Sequence, residues 1–120
     1  MISISGIDQL DEYILNNKNN DKILLLYFGA DRCSPCNILK NRINKECENE
    51  MQKLLVFFID VDLQENDEIV DLYDIRILPT QIFIRLKKNK VKINDRIDGY
   101  DWIKLTMSYN KIANNSTIML

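Results

Sequence analysis

Two cysteines separated by two residues are the part of the sequence best suited to chemistry. Cys33-Ser34-Pro35-Cys36 lies between the apolar run 23–30 and an amphipathic stretch that follows Cys36. At such a strand-to-helix junction the first cysteine sits at the helix N-terminus, where unpaired N–H groups and the helix dipole lower a thiol pKa. The second lies one turn further along, a rise of about 4.5 Å, so both sulfurs are within reach of a disulfide. Pro35 loses no hydrogen bond in the first helical turn. The pattern predicts a pair that is reversibly oxidised and reduced.

Three alternatives to a redox pair stay open on the residues alone. A zinc site needs four ligands, and with no histidine in the chain only Cys47 is a further soft ligand, so a carboxylate would have to complete the set. Two inert cysteines beside a loop are possible, although a strand-to-helix junction is an uncommon place for them. A fixed structural disulfide would close a very short loop and gain little from unfolded-chain entropy. We favour the redox pair and predict no metal and no bound cofactor.

The composition fits one globular domain that binds neither nucleic acid nor membrane. The 120 residues are 46% hydrophobic, with 3 glycines and 2 prolines, which suits a single domain over residues 1–120. Basic and acidic residues number 16 and 18 and are mixed along the chain, for a net charge of −2. Phosphate binding needs a clustered positive surface instead. The absence of histidine removes His-based triads and HExxH zinc sites.

The apolar segments are too short for a membrane span, and the first residues lack a secretory signal. Residues 23–30 form the longest apolar run, far below the roughly 20 residues that cross a bilayer. Residues 1–8 have neither a basic region nor a continuous apolar one. Three cysteines are also too few for a disulfide scaffold. We expect a cytoplasmic protein that is a monomer.

Hydrophobic periodicity predicts alternating helices and strands, which is the α/β class. Residues 22–29 are apolar on both faces, which is typical of a central strand covered by helices on both sides. Asp8 and Asp101 are predicted helix caps, and residues 87–89 a turn that makes the last two strands an antiparallel hairpin. In chain order we predict helix 8–16, strand 22–29, a helix from the cysteine pair to about residue 51, strand 54–61, helix 67–73, strand 80–86, strand 91–97 and a last helix 101–112, with a frayed tail at about 113–120.

Several motifs together give the sequence a family resemblance. The cysteine pair Cys33-Ser34-Pro35-Cys36 follows an apolar strand, and the next strand has the acidic end Asp60-Val61-Asp62. A proline precedes the third strand in Tyr73-Asp74-Ile75-Arg76-Ile77-Leu78-Pro79-Thr80, and Gly99 follows later in the chain. In this combination the chain resembles thioredoxin over residues 5–112. The resemblance implies a single-domain thioredoxin fold, in which helices flank a central mixed β-sheet, and the activity of a protein-disulfide reductase.

The resemblance also implies roles for individual residues. Cys33 is the expected exposed nucleophile that attacks a substrate disulfide, and Cys36 the buried thiol that then releases the reduced substrate. The Leu78–Pro79 peptide is expected in cis facing the pair, with the backbone beside Leu78 pairing with an extended substrate segment and Gly99 letting that segment come close. The expected partners are protein disulfides and, as electron donor, a reductase or a low-molecular-weight thiol. The expected substrate-binding residues are Arg32, Ser34, Pro35, Leu78, Pro79 and Gly99.

Two departures from the thioredoxin pattern affect the expected chemistry. Thioredoxins usually carry Trp before the first cysteine, where this chain has Arg32. The Arg32 charge is expected to stabilise the Cys33 thiolate and to favour acidic substrates, with Asp31 cancelling part of the effect. The family's buried Asp and nearby Lys, which manage the proton of the second thiol, are replaced by Tyr27 and Phe58. We therefore expect slower resolution of the mixed disulfide than in an ordinary thioredoxin.

Two more residues lie outside the shared pattern. Cys47 is about three helical turns, or roughly 16 Å, beyond Cys36 and too far away to join the pair. We expect it to be a buried thiol with no redox role, and an exposed regulatory or dimer-forming thiol is the alternative. Asp98 stands where a small apolar residue is common near the substrate groove. We expect it to narrow the range of partners.

Three functions compete on this sequence. The first is a reductase of protein disulfides that cycles Cys33 and Cys36 and serves electron transport and cell redox homeostasis. The second is a specialised member that oxidises or isomerises disulfides or passes electrons to one dedicated partner, which Arg32 and the missing acid favour. The third is a non-catalytic thioredoxin-fold binding module like the spliceosomal proteins of this fold. Residues 72–74 faintly suggest that module, but the intact cysteine pair argues against it.

Overall fold

The structure, a computed structural model, describes residues 1–118, with side chains through residue 115. The described chain forms five strands, four α-helices and one 3-10 turn. In chain order they are β1 (Ile2–Ser3), α1 (Ile7–Asn16), β2 (Ile23–Gly29), α2 (Ser34–Glu46), β3 (Leu54–Asp60), the 3-10 turn (Gln64–Asn66), α3 (Asp67–Leu72), β4 (Thr80–Lys87), β5 (Lys90–Asp98) and α4 (Trp102–Ile118).

The strands form one mixed sheet in the order β1-β3-β2-β4-β5. β3 pairs in parallel with both β1 and β2, whereas β4 is antiparallel to β2 and β5 is antiparallel to β4. The predicted mixed sheet and its terminal hairpin are therefore confirmed. β2 occupies the middle of the sheet and ends at Gly29, so the cysteine pair follows directly from the centre of the molecule.

Helices cover both faces of the sheet, which explains why β2 is apolar throughout. All seven residues of β2 are buried, as predicted for a central strand. Successive side chains of a strand point to opposite faces, so Leu25 and Tyr27 pack with α2 and α4 while Leu24, Leu26 and Phe28 pack with α1 and α3. The helix residues that fill the two cores are Leu39, Ile43, Leu105 and Tyr109 on one face and Leu10, Ile14 and Ile69 on the other.

In the first half of the chain the prediction misses one strand and misplaces the limits of two helices. The strand β1 is missing from the prediction because two residues carry no detectable periodicity. Helix α1 starts at Ile7 after Gly6, whose φ of 89° is left-handed, so Asp8 lies inside the first turn and the predicted Asp8 cap is wrong. Helix α2 ends at Glu46 with Cys47 as its cap, and Met51 is buried beyond the helix end. The apolar residues past Glu46 pack on the core without being helical.

The last helix starts as predicted and ends later. Asp101 caps α4, because its carboxylate accepts the N–H of Lys104 at 3.0 Å. Helix α4 continues to Ile118, so residues 113–118 of the predicted frayed tail are helical, and residues 119–120 lie outside the described residues. Within that described part, no helix combines the length and the apolar character that crossing a membrane requires.

Candidate active site

The cysteine pair lies where the chain passes from β2 into α2. Cys33 is the N-cap of α2 and Pro35 lies in its first turn. The two sulfurs are bonded to each other, and the Cα atoms of Cys33 and Cys36 are 5.2 Å apart. The N–H of Cys36 donates to Cys33 Sγ at 3.2 Å, a contact that also favours a thiolate on Cys33 once the disulfide is opened. The pair can therefore exist as a disulfide or as a dithiol with an activated first sulfur.

The two cysteines differ in their access to solvent. Cys33 is half-buried, whereas Cys36 lies in the first turn of α2 and is 1% exposed. The intervening Ser34 and Pro35 are both exposed. Part of Cys33 is therefore open to solvent, whereas Cys36 is enclosed.

Tyr27 lies beneath the buried cysteine. Its side chain is fully buried, and its hydroxyl donates to the carbonyl oxygen of Cys36 at 2.5 Å. The Tyr27 and Phe58 rings are in contact, with centroids 5.8 Å apart. Burial raises the pKa of Tyr27 well above its ordinary value, with a smaller contribution from Tyr100. The hydroxyl therefore stays protonated and serves as a hydrogen-bond donor rather than a base.

Gly29 leaves the space that this aromatic pair occupies. A Cβ atom at position 29 would lie 3.1 Å from Tyr27 Cε1 and 3.3 Å from both Cys36 Cβ and Phe58 Cε2. The ammonium of Lys40 lies 4.0 Å from the centre of the Phe58 ring, an arrangement typical of a cation–π contact. Gly29 and Lys40 are absent from the predicted site. The sequence could have indicated Gly29, because this glycine ends a strand and lies two residues after Tyr27, on the same face as that large aromatic ring.

Arg32 is paired with a partner that the sequence did not indicate. Its Nε and Nη2 donate to the carboxylate of Asp62 at 2.9 and 3.0 Å, a bidentate pair in which the Arg32 side chain is 66% exposed. Hydrogen bonding to Asp62 raises the pKa of Arg32. The compensating charge therefore comes from Asp62 rather than from Asp31, and the guanidinium is oriented by that carboxylate.

The segment before β4 has the backbone expected from the family. The Leu78–Pro79 peptide is cis, Leu78 is half-buried and Pro79 is buried. The N–H of Gly99 donates to the Pro79 carbonyl at 2.7 Å. Gly99 has a φ of 93° with no heavy atom within 4 Å of a Cβ built there, so its backbone conformation rather than crowding requires glycine. Oδ1 of Asp98 accepts from Arg96 and lies 3.2 Å from the Thr80 hydroxyl oxygen.

Cys47 lies apart from the pair at the opposite end of α2. It packs against the core as a half-buried residue, so the expected buried thiol is only partly buried. Burial raises the pKa of the Cys47 thiol, which keeps it protonated and weakly nucleophilic. Among residues 1–118, no group of at least three His, Cys, Asp or Glu side chains is placed to hold a metal ion.

Comparison with known proteins places the same features in a family. The sequence model of the Thioredoxin family matches residues 6–107. Thioredoxin-1 of Drosophila melanogaster is 33% identical over 94 residues, which cover 78% of this chain and 82% of that protein. Thioredoxin-T of the same species is 30% identical over 78 residues, covering 65% of this chain and 47% of that protein. This chain thus spans about half the length of Thioredoxin-T.

The fold is matched by solved structures. The crystal structure of the germline-specific thioredoxin protein Deadhead from Drosophila melanogaster superimposes with a TM-score of 0.74 at 28% sequence identity, over 92% of this chain and 98% of that one. The predicted thioredoxin fold is therefore confirmed. Because the family match extends over most of the described residues and includes both the cysteine pair and the cis-proline, the chain belongs to the thioredoxin family.

Proposed function

We propose that the protein is a thiol–disulfide oxidoreductase that reduces disulfides in other proteins through Cys33 and Cys36. The observation that carries the proposal is the asymmetric pair at the start of α2. The two sulfurs are bonded, one belongs to a half-buried residue at a helix N-cap and the other is enclosed. Such a pair can accept a substrate at one sulfur and complete the exchange with the other.

The exchange takes place in two steps that conserve electrons. The Cys33 thiolate attacks one sulfur of a substrate disulfide, which forms a mixed disulfide and releases the first substrate sulfur as a thiolate. Cys36 then loses its proton and attacks the Cys33 sulfur, which forms the intramolecular disulfide and releases the second substrate sulfur. Two electrons pass to the substrate, whose thiolates take protons from Cys36 and solvent. A reductase or a low-molecular-weight thiol then returns two electrons to the pair.

The substrate is proposed to bind beside the cysteine pair and the cis Leu78–Pro79 peptide. The backbone beside Leu78, which is half-buried next to the cis peptide, is proposed to pair with an extended peptide, a form of strand addition. Ser34 and Pro35 are exposed beside the nucleophile, and the space around Gly99 is open. Arg32 completes the rim, but its pairing with Asp62 weakens the expected preference for acidic substrates, because the two charges compensate each other.

The cellular compartment, the oligomeric state and the cellular role of the protein are also part of the proposal. We place the protein in the cytoplasm as a monomer that takes part in electron transport and cell redox homeostasis. Its net charge of −2 with mixed signs suits protein substrates over nucleic acid.

A second candidate is a carrier that serves one dedicated partner. The observation that favours it is the aromatic pair of Tyr27 and Phe58 below Cys36, which offers no group that ionises near neutral pH. A resolving thiol without a base reacts slowly with diverse substrates, whereas a dedicated partner can supply the proton acceptor itself.

Insulin reduction with dithiothreitol as electron donor tests the proposed function. We expect turnover well above the dithiothreitol background, loss of that turnover in Cys33→Ser, and nearly full turnover in Cys47→Ser, the matched control for a lost thiol. Turnover no faster than the background would contradict a general reductase and favour the dedicated carrier. Equal loss in Cys33→Ser and Cys47→Ser would contradict the assignment of the nucleophile.

A further inference from the structure

Arg96 joins strand β5 to the segment that precedes Pro79. Its Nη1 donates to the carbonyl of Tyr73, its Nη2 to the carbonyl of Asp74 at 2.9 Å and its Nε to Oδ1 of Asp98 at 3.0 Å. The Arg96 side chain is 29% exposed, so these contacts are partly shielded from water. A planar guanidinium can hold three acceptors in a fixed arrangement, which a lysine ammonium on a flexible stem cannot reproduce.

The two carbonyl groups bound by Arg96 lie at the end of helix α3. Tyr73 is the C-cap of α3, and Asp74 adopts a left-handed conformation with a φ of 51°. The last carbonyls of a helix lack partners and carry partial negative charge, so a cation is favourable there. A non-glycine residue at positive φ also needs surrounding contacts to hold it. Arg96 meets both needs and fixes where the chain leaves α3.

Thr80 attaches the other end of the same segment to β5. Its hydroxyl donates to the Ile77 carbonyl at 2.5 Å and lies 3.2 Å from Oδ1 of Asp98, the oxygen that also accepts from Arg96. The Pro79 carbonyl accepts the N–H of Gly99 at 2.7 Å. Segment 73–79 is therefore attached at one end to Arg96 of β5 and at the other to Gly99, which directly follows β5.

The residues between these two attachments are those that would meet a substrate. Ile77 is 51% exposed and Leu78 is half-buried next to the cis peptide. We propose that Arg96 is a positioning residue that holds Ile77 and Leu78 where the backbone of a protein substrate can pair with them. This inference rests on the proposed function, in which the substrate backbone pairs beside Leu78. Its hydrogen-bond partners belong to segment 73–79 and to Asp98. Its loss should weaken docking of peptide substrates and leave thiol exchange unchanged.

Steady-state reduction of insulin by three variants tests the role of Arg96. Arg96→Met keeps the aliphatic stem and removes all three donors, and Arg96→Lys keeps the charge without the planar fork. Arg85→Met is the matched control, because Arg85 is exposed on the neighbouring strand and donates to Asn94 at 2.7 Å. We expect Arg96→Met to raise KM for insulin about five- to tenfold with kcat within about twofold. Arg96→Lys should give a smaller rise, and Arg85→Met should change neither constant.

A substrate without a peptide backbone separates docking from chemistry. Arg96→Met should reduce hydroxyethyl disulfide at the rate of the unsubstituted protein and keep the same equilibrium with glutathione. An unchanged KM for insulin in Arg96→Met, or equal losses toward both substrates, would overturn the role of Arg96. If Arg96→Met does not fold, Arg96→Lys is the test: a raised KM for insulin supports the role of Arg96, and an unchanged KM overturns it. Failure of the unsubstituted protein to reduce either disulfide would overturn the proposed function itself, a distinct result.

Discussion

At the scale of single residues, a hydroxyl lies beneath Cys36 where the family carries a carboxylate. Tyr27 donates to the Cys36 carbonyl at 2.5 Å, and its burial raises its pKa. The phenol is therefore neutral near pH 7, so it can hold the first turn of α2 in place but cannot accept the Cys36 proton. In the proposed exchange, resolution of the mixed disulfide would then depend on ionisation of the Cys36 thiol itself.

The rate of resolution should accordingly follow the thiolate fraction of Cys36. We expect the rate in the unsubstituted protein to rise about tenfold per pH unit below the pKa of that thiol. Tyr27→Asp should flatten this dependence near neutral pH, because a carboxylate can take the proton. The rate of resolution can be measured by rapid-quench mass spectrometry of the mixed disulfide at several pH values. A flat profile in the unsubstituted protein would show that another group acts as the base.

The same residue predicts how stability changes at alkaline pH. The pKa of Tyr27 is raised in the folded protein above its unfolded value, so the folded state holds the proton more tightly. Its contribution is fully present below about pH 10 and is lost as the pH rises beyond that value. Urea unfolding between about pH 8 and about pH 11 should show a falling free energy of unfolding. The fall should be smaller in Tyr27→Phe than in the unsubstituted protein. Identical slopes for Tyr27→Phe and the unsubstituted protein would contradict this.

At the scale of elements, only one of the two predicted aspartate caps is present in the structure. Asp101 accepts a backbone N–H of α4, whereas α1 begins after Gly6 without a side-chain cap. We expect Asp101→Ala to lower the free energy of unfolding by about 1 kcal/mol. Asp8→Ala, which removes only a charge near a helix start, should lower it by about 0.3 kcal/mol. Urea denaturation of both variants measures the difference, and equal losses would contradict the assigned caps.

The elements that sequence could predict are those with long hydrophobic patterns. The uniformly apolar sequence of β2 identifies a central strand, and the alternation in β5 after the turn at residues 87–89 identifies a terminal hairpin. The predicted end of α2 lies too far along the chain because Cys47 and Met51 pack on the core and extend the apolar pattern beyond Glu46. The predicted start of α1 also lies too far along, because the positive φ of Gly6 determines where that helix begins, and no hydrophobic period reports a dihedral angle.

Parts of the site could not be predicted because they depend on contacts between distant residues. The spacing of Cys33 and Cys36 is local, so the pair could be predicted from sequence. Arg32 meets Asp62 only because β2 and β3 are neighbours in the sheet. Arg96 likewise meets the end of α3 through the folded arrangement of β5, a contact with no local sequence signal.

At the scale of the whole molecule, we expect the fold to persist without its disulfide. The bond joins residues separated by 3 in sequence, and the chain-entropy relation assigns such a short loop about 2 kcal/mol. The core has one hydrophobic cluster on each face of the sheet. The domain can therefore stay folded in both redox states, as a redox carrier requires.

Reduction should thus leave a cooperative fold. We expect urea unfolding with dithiothreitol to remain a single transition, with the free energy of unfolding lowered by no more than about 2 kcal/mol. The double variant Cys33→Ser/Cys36→Ser should behave like the reduced protein. Far-UV circular dichroism follows the transition. Loss of the fold on reduction would mean that the disulfide is structural and would contradict a redox cycle.

The most direct test of the account is to identify the cysteine that bonds to the substrate. Reduced protein is mixed with a disulfide substrate such as insulin, quenched with acid and digested for mass spectrometry. We predict that Cys36→Ser accumulates a mixed disulfide on Cys33, that Cys33→Ser forms none, and that Cys47→Ser behaves like the unsubstituted protein. A substrate bond on Cys36 or Cys47, or no mixed disulfide in Cys36→Ser, would contradict the central claim that Cys33 attacks and Cys36 resolves.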